Sequence, residues 1–331
     1  MPTFWSEDEL KLLVGTTLAP AVASKLKSLQ KEYDGLCTFA SQTRWYRSLQ
    51  DYIEFDDWLQ VDAMYRSRAL EMPGIGHCMV PCIDLANHAS GEATIASYEK
   101  DSGGNAVLLA REGKQIDKGE EVTITYGDEK GACEMIFSYS FLEQDMESAK
   151  SLFLSLAMPD EDIYRAEKIK IAGCAPGFKL IESEDGEIDW TGDFIWLLCV
   201  NRDDGLRIDI ARTNFGQEEV GAFFRDTELI DGAAGLHTLL QQSDLWDVFK
   251  LRAITILQQR VFDQLQLLYT TQETVETIAQ QNHNTIRDHP KELAMSLRRL
   301  EFELQESAYE VFEAQVRSLS WISNAEKWLL T

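Results

Sequence analysis

The chain has 331 residues, 44% of them hydrophobic and 26% charged, the composition of a soluble globular protein with room for two domains and an ample core. Asp and Glu outnumber Lys and Arg by 56 to 31, a formal net charge of −25. That balance argues against nucleic acid as a direct partner, because phosphate binding needs clustered cations, and no apolar run approaches the roughly 20 residues of a membrane span. An acidic surface suits a basic protein partner through electrostatic steering, or simply keeps the chain in solution.

From the N-terminus, Ser6 reads as a helix N-cap, and Glu9 three residues on completes a capping box ahead of Leu10, Leu13 and Val14. Residues Met1 to Glu9 are mixed and acidic, so no signal peptide is expected there. A second helix is predicted from about Ala19 into the thirties. A third is predicted to begin at Asp56 as N-cap and to carry Leu59, Ala63 and Tyr65 towards Leu70, where Pro73, Gly74 and Gly76 stop it. The segment Cys78 to Leu85 is apolar with a strand-like start. Short strands are predicted over Ala93 to Tyr98 and Ala106 to Ala110 around the turn Asp101-Ser102-Gly103-Gly104, and over Val122 to Tyr126. A short helix over Gly131 to Phe141 follows.

Six cysteines, at positions 37, 78, 82, 133, 174 and 199, form no framework pattern, so reduced thiols and a cytoplasmic or nuclear location are expected. His77, Cys78 and Cys82 lack a second pair at zinc-like spacing, so no metal site is expected.

Beyond Met146 the pattern changes to Gly/Asp-rich loops (183–193, 201–205, 231–235) between short helices, with a hairpin near Arg207–Arg212. Leu251, Ile254, Ile256, Leu257, Val261, Phe262, Leu265, Leu267 and Leu268 predict one long helix, and Leu293 to Leu319 another, with His289-Pro290 as the break. The apolar stripe is too broad for a heptad seam, so packed antiparallel helices are expected.

Four strings in order carry a resemblance: Arg66-Ser67-Arg68-Ala69, then Val80-Pro81-Cys82-Ile83-Asp84-Leu85-Ala86-Asn87-His88, then Gly119 to Gly127 with Val122-Thr123-Ile124-Thr125-Tyr126, then Tyr139-Ser140-Phe141. Together they resemble the C-terminal half of a SET domain, of the branch that includes the Rubisco large-subunit and ribosomal-protein lysine methyltransferases. The resemblance implies an α+β fold in three parts. Residues 1–55 resemble the helical insertion of that branch, 56–146 the C-terminal SET segment, and 147–331 its mostly α-helical substrate-binding domain. The segment that comes first in the family, with a Gly-x-Gly turn near the cofactor and strands that complete the sheet, is not expected within these residues. Gly74-Ile75-Gly76 reads instead as a turn. Ser140 stands where the family usually has Gly, and Ala89 where Ser is common.

The activity implied is transfer of a methyl group from S-adenosylmethionine to a lysine of a non-histone protein, with ribosomal proteins one candidate class. By resemblance, Tyr126 is the catalytic tyrosine. Arg68, Asn87 and His88 hold the cofactor, and Asp84, Tyr139 and Phe141 shape the lysine channel. A salt bridge to a core carboxylate is an alternative role for Arg68. In-line displacement at a sulfonium needs a neutral amine and close alignment, not an acid catalyst. An aromatic channel favours the neutral amine by desolvating the ammonium. The competing reading is a SET-derived module that binds a basic partner without catalysis.

Overall fold

The computed structural model describes residues 1–49, 51–144, 146–212, 218–282 and 284–320. The chain divides into two compact units, one made of Met1–Glu147 with Glu273–Arg298, the other of Ser148–Gln272 with Arg299–Thr331.

The first unit begins with the predicted capping box. Ser6 Oγ accepts from the Glu9 amide while the Glu9 carboxylate accepts from the Ser6 amide at 2.8 Å, opening the helix Glu7–Lys11. Glu9 is buried and takes a second partner: Arg287 places Nε and Nη2 each 2.8 Å from its two oxygens. These hydrogen bonds hold the Glu9 carboxyl at about 2, far below its ordinary value, against the opposing effect of burial. The helix Leu18–Ala40 buries Leu18, Val22, Leu29 and Ala40, a single stripe at helical spacing. After the short helix Arg44–Leu49, the helix Phe55–Arg68 is capped by Glu54 and not Asp56, because the Asp57 carboxylate reaches back to the Glu54 amide at 2.8 Å.

That helix stops at Arg68, earlier than the sequence pattern predicts. Ala69–Met72 pairs antiparallel with Gly76–Met79, and Pro73, Gly74 and Ile75 make the turn between them. Leu70 and Met72 are buried while Glu71 is exposed, the period-two pattern of a strand. The predicted pair around residues 101–104 forms as Ala96–Lys100 against Ala106–Ala110. The strand predicted at Val122 to Tyr126 shortens to Thr123–Ile124, which runs parallel to Asn87–His88. Ile124, Leu70, Ile83 and Ala96 form a small core against which Val80, Ala86, Tyr98 and Tyr126 pack. Burying a side chain such as Ile124 stabilises by about 1.5–3 kcal/mol, which fixes the short parallel pair despite its few backbone hydrogen bonds. The helix Ala132–Tyr139 completes the site-bearing part.

The second unit holds more strand than its loops suggest. Gly177–Glu182 pairs antiparallel with Ser151–Ser155 on one side and Ile188–Thr191 on the other. Leu206–Arg212 pairs with Glu218–Phe224, the predicted hairpin, which Thr227–Glu228 extends. Lys168 is buried on the helix Arg165–Ile171, with Nζ 2.6 Å from Asp162 and 2.9 Å from the Val200 carbonyl. Two long helices follow, Trp246–Gln281 and Asp288–Ser320. The break lies ahead of Asp288. Pro290 sits inside the first turn of the second helix, where its missing N–H is no loss. Within the second unit the two helices run antiparallel: Val248 and Leu251 pack with Val316 and Leu319, and Phe262 faces Tyr309 at 5.9 Å. Among the described residues no helix is long and apolar enough to cross a membrane.

Candidate functional site

A pocket of about 290 Å³ opens in the first unit. Six of the seven residues singled out by the sequence line it: Arg68, Asp84, Asn87, Tyr126, Tyr139 and Phe141. They come from separate elements. Arg68 ends the helix Phe55–Arg68, Asp84 lies in the single turn Ile83–Leu85, and Asn87 is on the short strand. Tyr126 follows the partner strand, and Tyr139 ends the helix Ala132–Tyr139.

The three aromatic rings form one wall. Tyr126 and Tyr139 are 4.6 Å apart between ring centroids, and Phe141 lies 6.4 Å from Tyr126 and 6.2 Å from Tyr139. The turn between Tyr139 and Phe141 depends on Ser140, which closes the helix in the left-handed region at φ 64° with its amide bonded to the Ile136 carbonyl. The Ser140 carbonyl is in turn 2.8 Å from His289 Nε2. Arg66 ties the wall to the helix before it. Its guanidinium stacks over Phe137 at 4.6 Å, donates to the Phe137 carbonyl and pairs with Asp62 at 2.7 Å.

Tyr126 is fixed at both ends. Its hydroxyl donates to the Ala86 carbonyl at 2.9 Å, and its amide donates to His88 Nδ1 at 3.0 Å. Because Nδ1 accepts, the imidazole proton belongs on Nε2, which meets Glu143 Oε1 at 3.0 Å. His88 therefore stands behind the pocket wall, its side chain only 4% exposed and both ring nitrogens engaged. Burial raises the Tyr126 hydroxyl above its usual value, opposed by the charge of Arg68, and pushes Tyr139 up to about 12 with help from Glu134 and its tyrosine neighbours. Both phenols are hydrogen-bonding groups at neutral pH and not bases.

The polar side of the pocket is simpler. Arg68 donates to the Asp84 carbonyl at 3.1 Å and pairs with no carboxylate among the described residues, so the salt-bridge alternative does not apply. The Asp84 carboxylate has no hydrogen-bond partner among the described residues and lines the pocket. Asn87 donates its amide to Glu121. This set suits a sulfonium-bearing nucleoside and a cationic substrate: a free carboxylate, an amide, a guanidinium, and a hydroxyl whose lone pairs remain open to weak C–H donors. Among the described residues no group of His, Cys, Asp and Glu could hold a metal ion.

Ser67 and Leu85 also line the pocket. They sit beside Arg68 and Asp84 within the quoted strings, and adjacency could have nominated them. Glu143 had no such signal, since its partner His88 lies 55 residues earlier.

No protein-family model matches the chain. It is 29% identical over 260 residues to SET domain-containing protein 8 of Schizosaccharomyces pombe, a match covering 78% of this chain and 58% of that protein. The solved structure of the SET domain of LSMT bound to MeLysine and AdoHcy superposes with a TM-score of 0.65 over 98% of this chain and 70% of that one, at 20% identity. The chain is thus similar in sequence to a SET domain-containing protein and shares the fold of the LSMT SET domain. The chain is also 26% identical over 180 residues to the Rubisco large subunit N-methyltransferase of Pisum sativum, covering 51% of this chain and 36% of that enzyme. Rubisco LSMT bound to AdoMet matches with a TM-score of 0.63 and 21% identity, over 96% of this chain and 68% of that one. The chain thus spans little over half the length of the Schizosaccharomyces pombe relative, at 58%, and a smaller share of the plant enzyme.

Proposed function

We propose that this chain transfers a methyl group from S-adenosylmethionine to a lysine of a non-histone protein. The observation that carries the proposal is the convergence of Arg68, Asp84, Asn87, Tyr126, Tyr139 and Phe141 on one pocket from elements far apart in the chain. When bound, S-adenosylmethionine supplies an electrophilic methyl group on a sulfonium.

The chain's own residues then do the following. Arg68 and Asn87 hold the cofactor at the polar side. The Asp84 carboxylate draws the substrate ammonium towards the mouth. The rings of Tyr126, Tyr139 and Phe141 strip water from that ammonium, which lowers its pKa and favours the neutral, nucleophilic amine; the released proton leaves to solvent. Tyr126 keeps its proton, anchors it on the Ala86 carbonyl, and offers its lone pairs to the amine and the methyl C–H groups. His88, with its ring committed to Tyr126 and Glu143, serves this reaction by holding Tyr126.

The net charge of −25 supports a basic substrate, with a ribosomal protein the specific candidate from the sequence resemblance. The relatives named for Rubisco and fructose-bisphosphate aldolase act on non-histone proteins. A cytoplasmic or nuclear location belongs to the same proposal and is supported by six cysteines that form no disulfide.

The test is methyl transfer from labelled S-adenosylmethionine into isolated ribosomal proteins, alongside calorimetric titration of the cofactor. Wild-type chain should bind and transfer, and Tyr126→Phe should bind with little change yet lose turnover. Equal turnover by Tyr126→Phe would remove Tyr126 from its role, and absence of cofactor binding would overturn the proposal.

A further inference from the structure

A second concave surface lies in the other unit, between the two long helices. It measures about 390 Å³ and is lined by Phe262 and Tyr269 from one helix and Phe302, Glu306, Tyr309 and Glu310 from the other. Its aromatic residues are unusually open: Tyr269 is 73% exposed, Phe262 40% and Phe302 36%. Large rings exposed together on facing helices mark a contact surface more often than a solvated one.

The charges on this face are uneven. Along the second helix, Glu303 pairs with Arg299 and Glu313 with Arg317, each one turn away at 3.0 and 2.8 Å. Glu306 and Glu310, also one turn apart and both exposed, have no cation within salt-bridge distance among the described residues. The groove therefore combines open aromatic faces, which carry negative quadrupolar charge, with two unneutralised carboxylates.

We propose that this groove docks an arginine-bearing segment of a partner protein. A guanidinium satisfies both features at once. Its plane stacks on a ring, and its fork of N–H groups meets a carboxylate through two parallel bonds. It is also less strongly hydrated than an ammonium, so less is lost when it enters an aromatic groove. A purely apolar segment would leave Glu306 and Glu310 beside it without a partner, at a desolvation cost. The proposal stands apart from methyl transfer, since none of its residues belongs to the first pocket.

The probe is a fluorescein-labelled Gly-Arg-Gly-Arg-Gly-Arg-Gly peptide, with its lysine counterpart, titrated with the full chain by fluorescence anisotropy. Salt at about 0.15 M shortens electrostatic reach to about 8 Å and suppresses binding to the bulk negative charge. The arginine peptide should bind more tightly than the lysine peptide. Glu306→Gln/Glu310→Gln should weaken it about tenfold, the loss of roughly one charge-assisted contact, and Tyr269→Ala should weaken it as well. Glu184→Gln/Asp185→Asn removes the same charge from an exposed turn of the same unit and should leave binding within about twofold, a difference well under the tenfold step. Equal losses in the two double variants would reduce the effect to net charge and overturn the proposal. So would unchanged binding in Glu306→Gln/Glu310→Gln. Equal affinity for the lysine peptide would overturn the choice of arginine. Self-association of the unlabelled chain that the Glu306→Gln/Glu310→Gln change abolishes would replace the partner with a second copy. The substituted side chains are solvent-facing, so thermal melts should be unaltered, and each variant is scored only with its melt in hand.

Discussion

Replacing Glu143 tests whether the ring behind the pocket wall governs the tyrosine in front of it. In Glu143→Leu the Nε2–H of His88 loses its acceptor, 3.0 Å away in the native chain, and the imidazole is only 4% exposed, too little for water to replace it. Moving the proton to Nδ1 gives no relief, because that atom would then face the Tyr126 amide, donor against donor. Either tautomer leaves one buried group unsatisfied, at about 1–3 kcal/mol. A loss near 2 kcal/mol is therefore expected in urea unfolding. Glu143 engages other groups too, so Glu143→Gln is the reference: it keeps a carbonyl acceptor and should retain most of the stability. Imidazole ¹⁵N shifts report the tautomer directly, and the Tyr126 amide shift reports its bond to Nδ1. Glu143→Leu should disturb both, with turnover falling in step; Glu143→Gln should disturb neither. If Glu143→Leu unfolds at the wild-type midpoint with the Tyr126 amide unmoved, the chain of bonds from Glu143 to Tyr126 carries no weight.

Three further outcomes follow from the first unit. Arg287→Met removes the side-chain hydrogen bonds, the largest effect that holds Glu9 at about 2, while the backbone amides of Ser6 and residue 287 still donate, so the carboxyl should rise towards 4.5. A depressed carboxyl stabilises above its unfolded value and loses that contribution as pH falls through its folded one. The variant should therefore be weaker by about 2 kcal/mol at neutral pH, discounted for a guanidinium that is 62% exposed, with the gap closing between pH 4.5 and 2; a gap independent of pH would refute this. Tyr139 has the opposite sign. Burial raises it from 10.0 to about 12, so its contribution is intact below pH 10.0 and lost as pH rises towards 12. Tyr139→Phe should flatten the alkaline fall in unfolding midpoint over that window, and an unchanged slope would count against the burial argument. Ser140→Gly should raise the melting point by relieving the left-handed φ of 64°, worth up to about 1 kcal/mol after the extra freedom glycine gives the unfolded chain, whereas Ser140→Ala should not; a destabilised glycine variant would show that the serine side chain is needed there.

What was legible in the sequence was local. The Ser6–Glu9 box and the hairpin around residues 101–104 are each set by residues within a few positions of one another and form where the pattern places them, while the helix expected over Gly131 to Phe141 ends earlier, at Tyr139. The pattern carries the helix from Asp56 towards Leu70, because Leu70 suits either period, whereas Ala69–Met72 pairs with Gly76–Met79. Burial of Leu70 in the small core, with Met72 buried on the same strand face, selects the strand, and that is a tertiary preference. Gly177–Glu182 was missed for a similar reason: Phe178 and Leu180 alternate over too few residues to stand out from the Gly/Asp-rich loops around them, yet this is the central strand of its sheet.

The candidate site divides along the same line. Residues that the resemblance of the four strings singled out, Tyr126, Tyr139, Phe141, Asp84 and Asn87, line one pocket, and they are the types that the proposed methyl transfer would use. His88 has the right type as well, and its place in the Asn87-His88 string suggests a cofactor contact. What its ring does is decided by which atom stands on each side of it, namely the Tyr126 amide and Glu143. Those partners lie 38 and 55 residues away, and their bearing on the imidazole depends on the parallel pairing of two-residue strands. A tautomer is a property of partners and not of residue type, so the support of Tyr126 becomes visible only once the chain is folded.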